Sequence, residues 1–242
     1  MRIIVAKNYD EMSELAAIEV ATNIKENPEL VLGLATGGTP VGMYKELIRR
    51  YRDGEIDFSK VKSINLDEYV GLSGENKESY RYFMNSHLFN SVNIDINNTF
   101  VPNGLANNIY HECIEYDNKI KELNGIDLQV LGIGGNGHIG FNEPNDFLEV
   151  GTHVTNLKRE TIEANARFFN SIDEVPKQAV TMGIGGIMKA KKILLIASGE
   201  EKAEAIKSLL SGKITTKIPV TMLQIHKDVT VIVDEAAGKL IK

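Results

Sequence analysis

The sequence predicts an α/β fold in which a mostly parallel central sheet carries helices on both faces. Short runs rich in β-branched residues alternate with amphipathic helical patterns along nearly the whole chain. Strands that are separated by helices favour parallel pairing. No internal repeat, low-complexity tract or Pro/Gly/Ser-rich linker interrupts the 242 residues. We therefore expect a single domain that spans residues 1–242.

Eight segments are predicted to be strands, because each is short, apolar and bounded by turn-forming residues. In chain order they are residues 2–5, 30–34, 61–65, 99–101, 128–133, 179–182, 193–197 and 229–233. In an open parallel sheet, ligands bind beyond the carboxyl ends of the strands. We therefore expect the ligand site in the loops that follow these segments.

Helices are predicted between the strands. The clearest covers residues 10–26, where apolar side chains recur every three or four positions. Another begins at Ile109 and should end near Gly125, because glycine commonly stands just after a helix. Tyr80 and its neighbours in segment 78–89 also have helical spacing, and we interpret them as core residues rather than as a cofactor site.

The composition indicates a protein that acts on a small molecule. A net charge of −6 argues against binding to nucleic acid or to an anionic membrane surface. No apolar run approaches the roughly 20 residues that span a bilayer. The one cysteine, Cys113, excludes an internal disulfide. Because the chain begins with a strand-like segment rather than a secretory signal, we expect a cytoplasmic location.

The loop ATGGTP, residues 35–40, has the features of an anion site. Gly37 and Gly38 let the backbone approach a ligand, and Thr39, followed by proline, can cap the next helix. Free N–H groups at such a helix start attract a phosphate. Arg167 and Lys202 could supply the positive charge. The alternative is an ordinary tight turn, with both cations solvated at the surface.

Two carboxylates follow the third predicted strand in the segment NLDEYVGL. Asp67 could be a general base, while Glu68 points to the opposite side of an extended backbone and could hydrogen-bond the loop or face water. The alternative is that Asp67 only stabilises a turn or caps a helix.

The segment GIGGNGHIGFNEP, residues 132–144, formally contains GxGxxG, but Phe141 and the residues after it interrupt the long helix that a dinucleotide site needs. Dense glycines instead let backbone amides surround a small polar molecule. His138 could then move a proton, with Glu143 orienting its ring. The alternative is a structural histidine. Nowhere in the sequence does a cluster have the ligand types and spacing of a zinc site.

These segments are similar to those of the glucosamine-6-phosphate deaminase family, whose members convert glucosamine 6-phosphate and water into fructose 6-phosphate and ammonium. LATGGTP, NLDEYVGL, GHIGFNEP, NARFF and the segment around Lys202 occur in the family's order and spacing across nearly all of the chain. The resemblance implies a modified Rossmann-like three-layer sandwich. It also implies that the enzyme needs no metal and no nucleotide cofactor.

The resemblance further implies a role for each motif. Asp67 would move a proton between C2 and C1 of the substrate, His138 would open the pyranose ring, and Glu143 would hold and polarise His138. The family's phosphate-site motifs match at Gly37, Gly38, Thr39, Arg167 and Lys202. The loop that lines the C1 end of the sugar matches at Gly132, Gly134, Gly135 and Gly137.

Position 136 departs from the family pattern, because Asn136 stands where many members have aspartate in GNDGH. It occupies the third position of the catalytic relay. An amide can still orient His138, but it stabilises a cationic imidazole less than a carboxylate does. We therefore expect an Asn136→Asp change to move the acidic limb of the pH profile upward.

A second departure concerns regulation. Members that N-acetylglucosamine 6-phosphate activates are expected to carry basic residues after NEP and a longer C-terminal tail. His153 and Thr155 stand at those positions here, and the chain ends soon after VTVIV. We therefore predict an enzyme without this activation, as a monomer or small homo-oligomer.

Two other functions are alternatives to deamination. A 6-phosphogluconolactonase resembles the deaminases in fold, but its family typically continues GHxASLFPG, whereas this chain reads GHIGFNEP and retains Asp67. A sugar-phosphate-binding regulator domain would need a DNA-binding module, yet the chain starts almost at once with its first strand. The full set of acid–base residues also favours turnover over binding alone.

Overall fold

The computed structural model describes residues 1–159, 162–163, 169 and 171–241 of the chain. In chain order the strands are β1 (Arg2–Ala6), β2 (Val31–Leu34), β3 (Lys62–Asn65), β4 (Asp67–Tyr69), β5 (Thr99–Phe100), β6 (Leu128–Leu131), β7 (His153–Asn156), β8 (Gln178–Thr181), β9 (Lys192–Ala197) and β10 (Val229–Asp234). The helices are α1 (Tyr9–Glu26), α2 (Val41–Arg52), α3 (Tyr80–His87), α4 (Ile109–Glu122), α5 (Ile184–Met188), α6 (Ala203–Leu209) and α7 (Glu235–Gly238). Across these ranges, the helices are all too short or too polar to cross a membrane.

A parallel sheet forms the centre of the molecule. Within the described residues it has seven strands in the order β1-β10-β9-β6-β2-β3-β5. Its strand pairs are all parallel, as the alternation of strands and helices predicted. Strands β2, β6 and β10 are buried along their whole length, because side chains cover both faces.

The hydrophobic core has one part on each face of this sheet. Helices α1, α2 and α3 pack on one face through residues such as Met12, Tyr44 and Met84. Helices α4 to α7 cover the other face, with Tyr116 and Ile206 in that part of the core. The chain is thus a three-layer α/β structure, and the predicted fold class is confirmed.

Two predicted helices agree closely with the structure. Helix α1 starts one residue before its predicted position, and the side chain of Asn8 caps it by accepting the N–H of Glu11 at 3.0 Å. Helix α4 ends at Glu122, after which Asn124 and Gly125 have φ of 60° and 86°. Asn124 therefore stops this helix by adopting the left-handed conformation, and Gly125 completes the cap by donating its N–H to the carbonyl of Ile120 at 2.9 Å.

A second, antiparallel sheet corrects the sequence prediction. β4, β8 and β7 pair in the order β4-β8-β7 within the described part of the chain. The predicted strand at 179–182 therefore belongs to this small sheet, and Asp67–Tyr69, predicted as loop, is a strand. Only Leu66 separates β3 from β4, so the chain leaves the central sheet abruptly. A three-residue strand is too short to show an alternating pattern, and its pairing with β8 decides its structure.

Candidate active site

A cavity of about 920 Å³ lies at the carboxyl ends of the central strands. The loops after β2, β3, β6 and β9 all reach it, as the topology of a parallel sheet requires. Ten of the residues singled out in the sequence line its walls: Gly37, Gly38, Thr39, Asp67, Gly132, Gly134, Gly135, Asn136, His138 and Lys202. The sequence motifs therefore converge on one space large enough for a hexose phosphate.

Asp67 is the buried carboxylate of this cavity. It is the first residue of β4 and is 7% exposed. Burial raises the pKa of its carboxyl from 3.8 to about 8, and the neighbouring charge of Glu68 adds to the rise. Among the described residues, no Lys, Arg or His side chain lies within 4.0 Å of its carboxylate. A base with a pKa near neutral pH is well suited to take a proton from carbon and return it.

Glu68 points away from Asp67 and has a structural role. Its carboxylate accepts the N–H groups of Tyr69 at 2.8 Å and of Tyr80 and Arg81 at 2.9 Å each. Burial raises the pKa of this carboxyl, although the three hydrogen bonds oppose the rise. Two of these N–H groups belong to the first turn of α3, where a carboxylate is stabilising. Of the two alternatives for Glu68, hydrogen bonding to the loop or exposure to water, the structure shows the first.

His138, Glu143 and Asn136 form a connected group. Oε2 of Glu143 lies 3.4 Å from Nδ1 of His138 and accepts a hydrogen bond from Nδ2 of Asn136 at 2.9 Å. Oδ1 of Asn136 accepts the backbone N–H of His138 at 3.1 Å. Asn136 thus holds the backbone of His138 directly, and it reaches the imidazole ring through Glu143.

The glycines of the loop after β6 have different structural roles. A Cβ at Gly134 would lie 2.2 Å from Cε1 of His138, so only glycine leaves room for the imidazole. Gly132, Gly134 and Gly135 line the cavity. Gly137 is not among its lining residues, and its carbonyl instead accepts the N–H of Val220 at 2.8 Å. It holds the loop against a neighbouring segment of the chain.

Helix α2 begins differently from the prediction. Pro40 occupies its cap position with no side-chain hydrogen bond, and the helix starts at Val41, so Thr39 is not the cap. The hydroxyl of Tyr9 instead accepts the N–H of Gly42 at 2.8 Å and donates to the carbonyl of Gly38 at 3.1 Å. Tyr9 comes from α1, more than 30 residues earlier. The side chain of Thr39 is therefore not needed for capping, and the residue lines the cavity.

Lysines provide positive charge around the cavity. Lys202 follows β9, its side chain is 19% exposed, and its Nζ lies 3.9 Å from Glu201. The other predicted cation, Arg167, lies outside the described residues. Lys158 and Lys217 also line the cavity, which no sequence motif had indicated. Nζ of Lys158 donates to the carbonyl of Pro144 at 2.6 Å, and Lys217 pairs with Asp146.

Tyr80 also lines the cavity, although its helical spacing indicated only core packing. Its ring lies 4.7 Å from the ring of Tyr69 and 6.1 Å from that of Phe141, nearly parallel to the latter. Burial raises the pKa of the Tyr80 phenol well above its usual range, so the group stays neutral. Tyr80 therefore packs in an aromatic cluster and forms part of the wall next to Asp67.

Known proteins resemble this chain along its whole length. A family model described as glucosamine-6-phosphate isomerases/6-phosphogluconolactonase matches residues 6–232. Two proteins named glucosamine-6-phosphate deaminase, from Clostridium perfringens (strain 13 / Type A) and Clostridium beijerinckii, are 71% and 60% identical over 100% of both chains. A solved structure of a monomeric glucosamine-6-phosphate deaminase gives a TM-score of 0.97 at 46% identity, covering 99% of this chain and 100% of that chain. A 6-phosphogluconolactonase from Trypanosoma cruzi gives 0.77 at 20% identity, covering 100% and 97%, and shows likeness of fold alone.

Proposed function

This chain belongs to the glucosamine-6-phosphate isomerase/6-phosphogluconolactonase family, and we propose that within this family it is a glucosamine-6-phosphate deaminase. It converts glucosamine 6-phosphate and water into fructose 6-phosphate and ammonium. The observation that carries this proposal is the placement of Asp67 and His138 in the wall of one cavity. The identity of 71% with a protein of that name over the full length supports it.

The reaction needs a proton to move at each of two places. His138, polarised by the carboxylate of Glu143 at 3.4 Å, transfers a proton at the ring oxygen and C1 hydroxyl as the pyranose opens. Asp67 then takes the proton from C2 and delivers it to C1. A second proton passes from the amine nitrogen to the aldehyde oxygen at C1 through the enolamine, so the aldehyde becomes an alcohol and the amine at C2 becomes an imine. Water adds to this imine, and ammonium leaves. The glycines of the loop after β6 leave room for the opened chain and offer backbone N–H groups to its hydroxyls.

The phosphate binds at the other end of the cavity. The backbone of Gly37, Gly38 and Thr39 approaches it before α2, where the N–H groups of this loop and the helix dipole favour an anion. Lys202 adds a charge that is mostly shielded from water. Arg167 belongs to the same phosphate site in this proposal, which rests for that residue on the motif NARFF.

Three further features belong to the proposal. The enzyme is cytoplasmic and acts as a monomer or small homo-oligomer, as the solved relative described as monomeric suggests. It is not activated by N-acetylglucosamine 6-phosphate. His153 and Thr155 on β7 line a neighbouring cavity of about 450 Å³, and neither is the lysine or arginine that would pair with a second phosphate.

The deciding experiment supplies purified protein with glucosamine 6-phosphate and measures ammonium and fructose 6-phosphate together. Deamination releases both in equal amounts. A parallel assay with 6-phosphogluconolactone detects the lactonase alternative, and the Asp67→Asn variant is the matched control for contaminating activity. Ammonium release that is the same in the variant, or lactone hydrolysis without ammonium release, would contradict the proposal.

A further inference from the structure

The two acid–base groups of the site come from different parts of the chain. Asp67 lies on β4, whereas His138 and Glu143 lie in the loop that follows β6. Both groups must meet a substrate whose reacting carbons are neighbours. Since a misplacement of about 1 Å can cost on the order of 100-fold in rate, something must fix the spacing between them.

Thr181 lies between these two groups. It is the last residue of β8, is fully buried, and stands directly opposite Asp67 in the antiparallel pair. Directly opposite residues in such a pair point to the same face, with Cβ atoms roughly 5 Å apart. The side chain of Thr181 is therefore next to that of Asp67.

The hydroxyl of Thr181 also holds the histidine loop. Its Oγ1 accepts the backbone N–H of Phe141 at 3.0 Å, and Phe141 stands between His138 and Glu143 in sequence. The loop comes this close because residue 140 is glycine, with φ of +56°. A Cβ at Gly140 would lie 3.0 Å from Oγ1 of Thr181 and 3.6 Å from Oδ2 of Asp67. The backbone at Gly140 thus packs against the side chains of both Thr181 and Asp67.

The next residue makes the same connection through its backbone. The N–H of Met182 donates to the carbonyl of Leu66 at 2.7 Å, directly before Asp67. The carbonyl of Met182 accepts Nδ2 of Asn142 at 2.9 Å, directly before Glu143. Asn142 is 2% exposed, and its Nδ2 also donates to the carbonyl of Ile139 at 2.9 Å. Residues 181 and 182 therefore bind the aspartate strand and the histidine loop together.

We propose that Thr181 is a positioning residue that sets the distance between Asp67 and the His138–Glu143 pair. This inference rests on the proposed function. Thr181 acts only through the groups it holds, since it is fully buried and does not line the cavity. Loss of its hydroxyl oxygen leaves the buried N–H of Phe141 without its partner and lets the loop move relative to β4.

The experiment compares Thr181→Val, which keeps the shape and removes the hydroxyl, with Thr181→Ser, which keeps the hydroxyl. We expect Thr181→Val to lower kcat for glucosamine 6-phosphate by about 10- to 100-fold with KM within about twofold. Thr181→Ser should retain kcat within a few-fold of the parent. The matched control is Thr230→Val, a buried threonine near the amino end of β10, far from the cavity. It should leave both constants unchanged.

The outcomes separate the inference from the proposed function. If the unchanged protein releases no ammonium, the proposed function fails. If it does, but Thr181→Val retains full kcat or Thr181→Ser loses as much as Thr181→Val, the positioning role is wrong. A loss confined to KM contradicts it as well. If Thr181→Val does not fold, Thr181→Cys replaces it, because cysteine is of similar size and is a much weaker acceptor.

Discussion

Asn136 donates its side-chain amide to Oε2 of Glu143 at 2.9 Å, and the same oxygen lies 3.4 Å from Nδ1 of His138. The amide therefore affects the imidazole through an intervening carboxylate, whereas the sequence predicted that it orients His138 itself. The other polar atom of the Asn136 side chain, Oδ1, accepts the backbone N–H of His138. A charge introduced at position 136 will consequently act on Glu143 first.

Asn136→Asp should move the acidic limb of the pH–rate profile to higher pH. The new carboxylate would stand beside the carboxylate of Glu143, so the added negative charge favours protonation of the group that Glu143 and His138 form. Protonation would then begin at higher pH, and activity would be lost there. The measurement is kcat/KM as a function of pH. A profile that coincides with that of the parent would count against a relay at this position.

Asp67→Asn should lower kcat strongly while the protein stays folded. General acid–base groups contribute about 10² to 10⁴ in rate, so we expect kcat to fall by at least about 100-fold. Substrate binding should change little, since the substrate phosphate does not contact this residue in the proposal. Steady-state kinetics together with equilibrium binding of glucosamine 6-phosphate test this. Near-normal turnover would show that another group is the base.

The same variant should be more stable than the parent at alkaline pH. In the unfolded chain Asp67 ionises near pH 3.8, but burial in the folded protein raises its pKa to about 8. Between these values the unfolded state binds fewer protons, so this group lowers the stability of the folded parent as pH rises. Asparagine carries no such charge. The difference in melting temperature between variant and parent should grow from pH 5 to pH 8, and a constant difference would argue against a buried carboxyl.

Glu68→Ala should lower the stability of the folded protein but have little effect on kcat. The change removes the acceptor of three N–H groups, one in β4 and two in the first turn of α3. We expect a loss of about 1–3 kcal/mol in the free energy of unfolding, measured by chemical denaturation. The fall in kcat should be much smaller than for Asp67→Asn, because Glu68 does not line the active-site cavity. If Glu68→Ala loses as much kcat as Asp67→Asn and no stability, Glu68 is not a structural residue.

Lys202→Met should weaken binding of the phosphate. A charge-assisted hydrogen bond contributes about 1.5–3 kcal/mol, which corresponds to a rise in KM of roughly 10- to 100-fold with kcat little changed. Lys207→Met is the matched control, since this lysine lies on α6 with its side chain 57% exposed, beside Glu204. Glucosamine without phosphate is the matched substrate. An equal effect of Lys202→Met on both sugars would exclude a phosphate contact.

The sequence by itself determined the central sheet, the long helices and the loops that carry the chemistry. Repeated apolar spacing and turn residues are local signals, so α1 and the end of α4 near Gly125 were predictable from neighbours in the chain. The motifs around Asp67 and His138 were also visible, because glycines and carboxylates placed just after buried strands are unusual. Parallel topology then required these loops to meet at one edge.

Only the tertiary structure decided which side chains complete the site. The hydrogen bond from Phe141 to Thr181 joins residues 40 positions apart, and the one from Gly42 to Tyr9 joins residues 33 positions apart. No local pattern encodes such contacts, because they depend on how separate elements pack against each other. The raised pKa of Asp67 has the same origin: burial causes it, and the rest of the fold creates that burial.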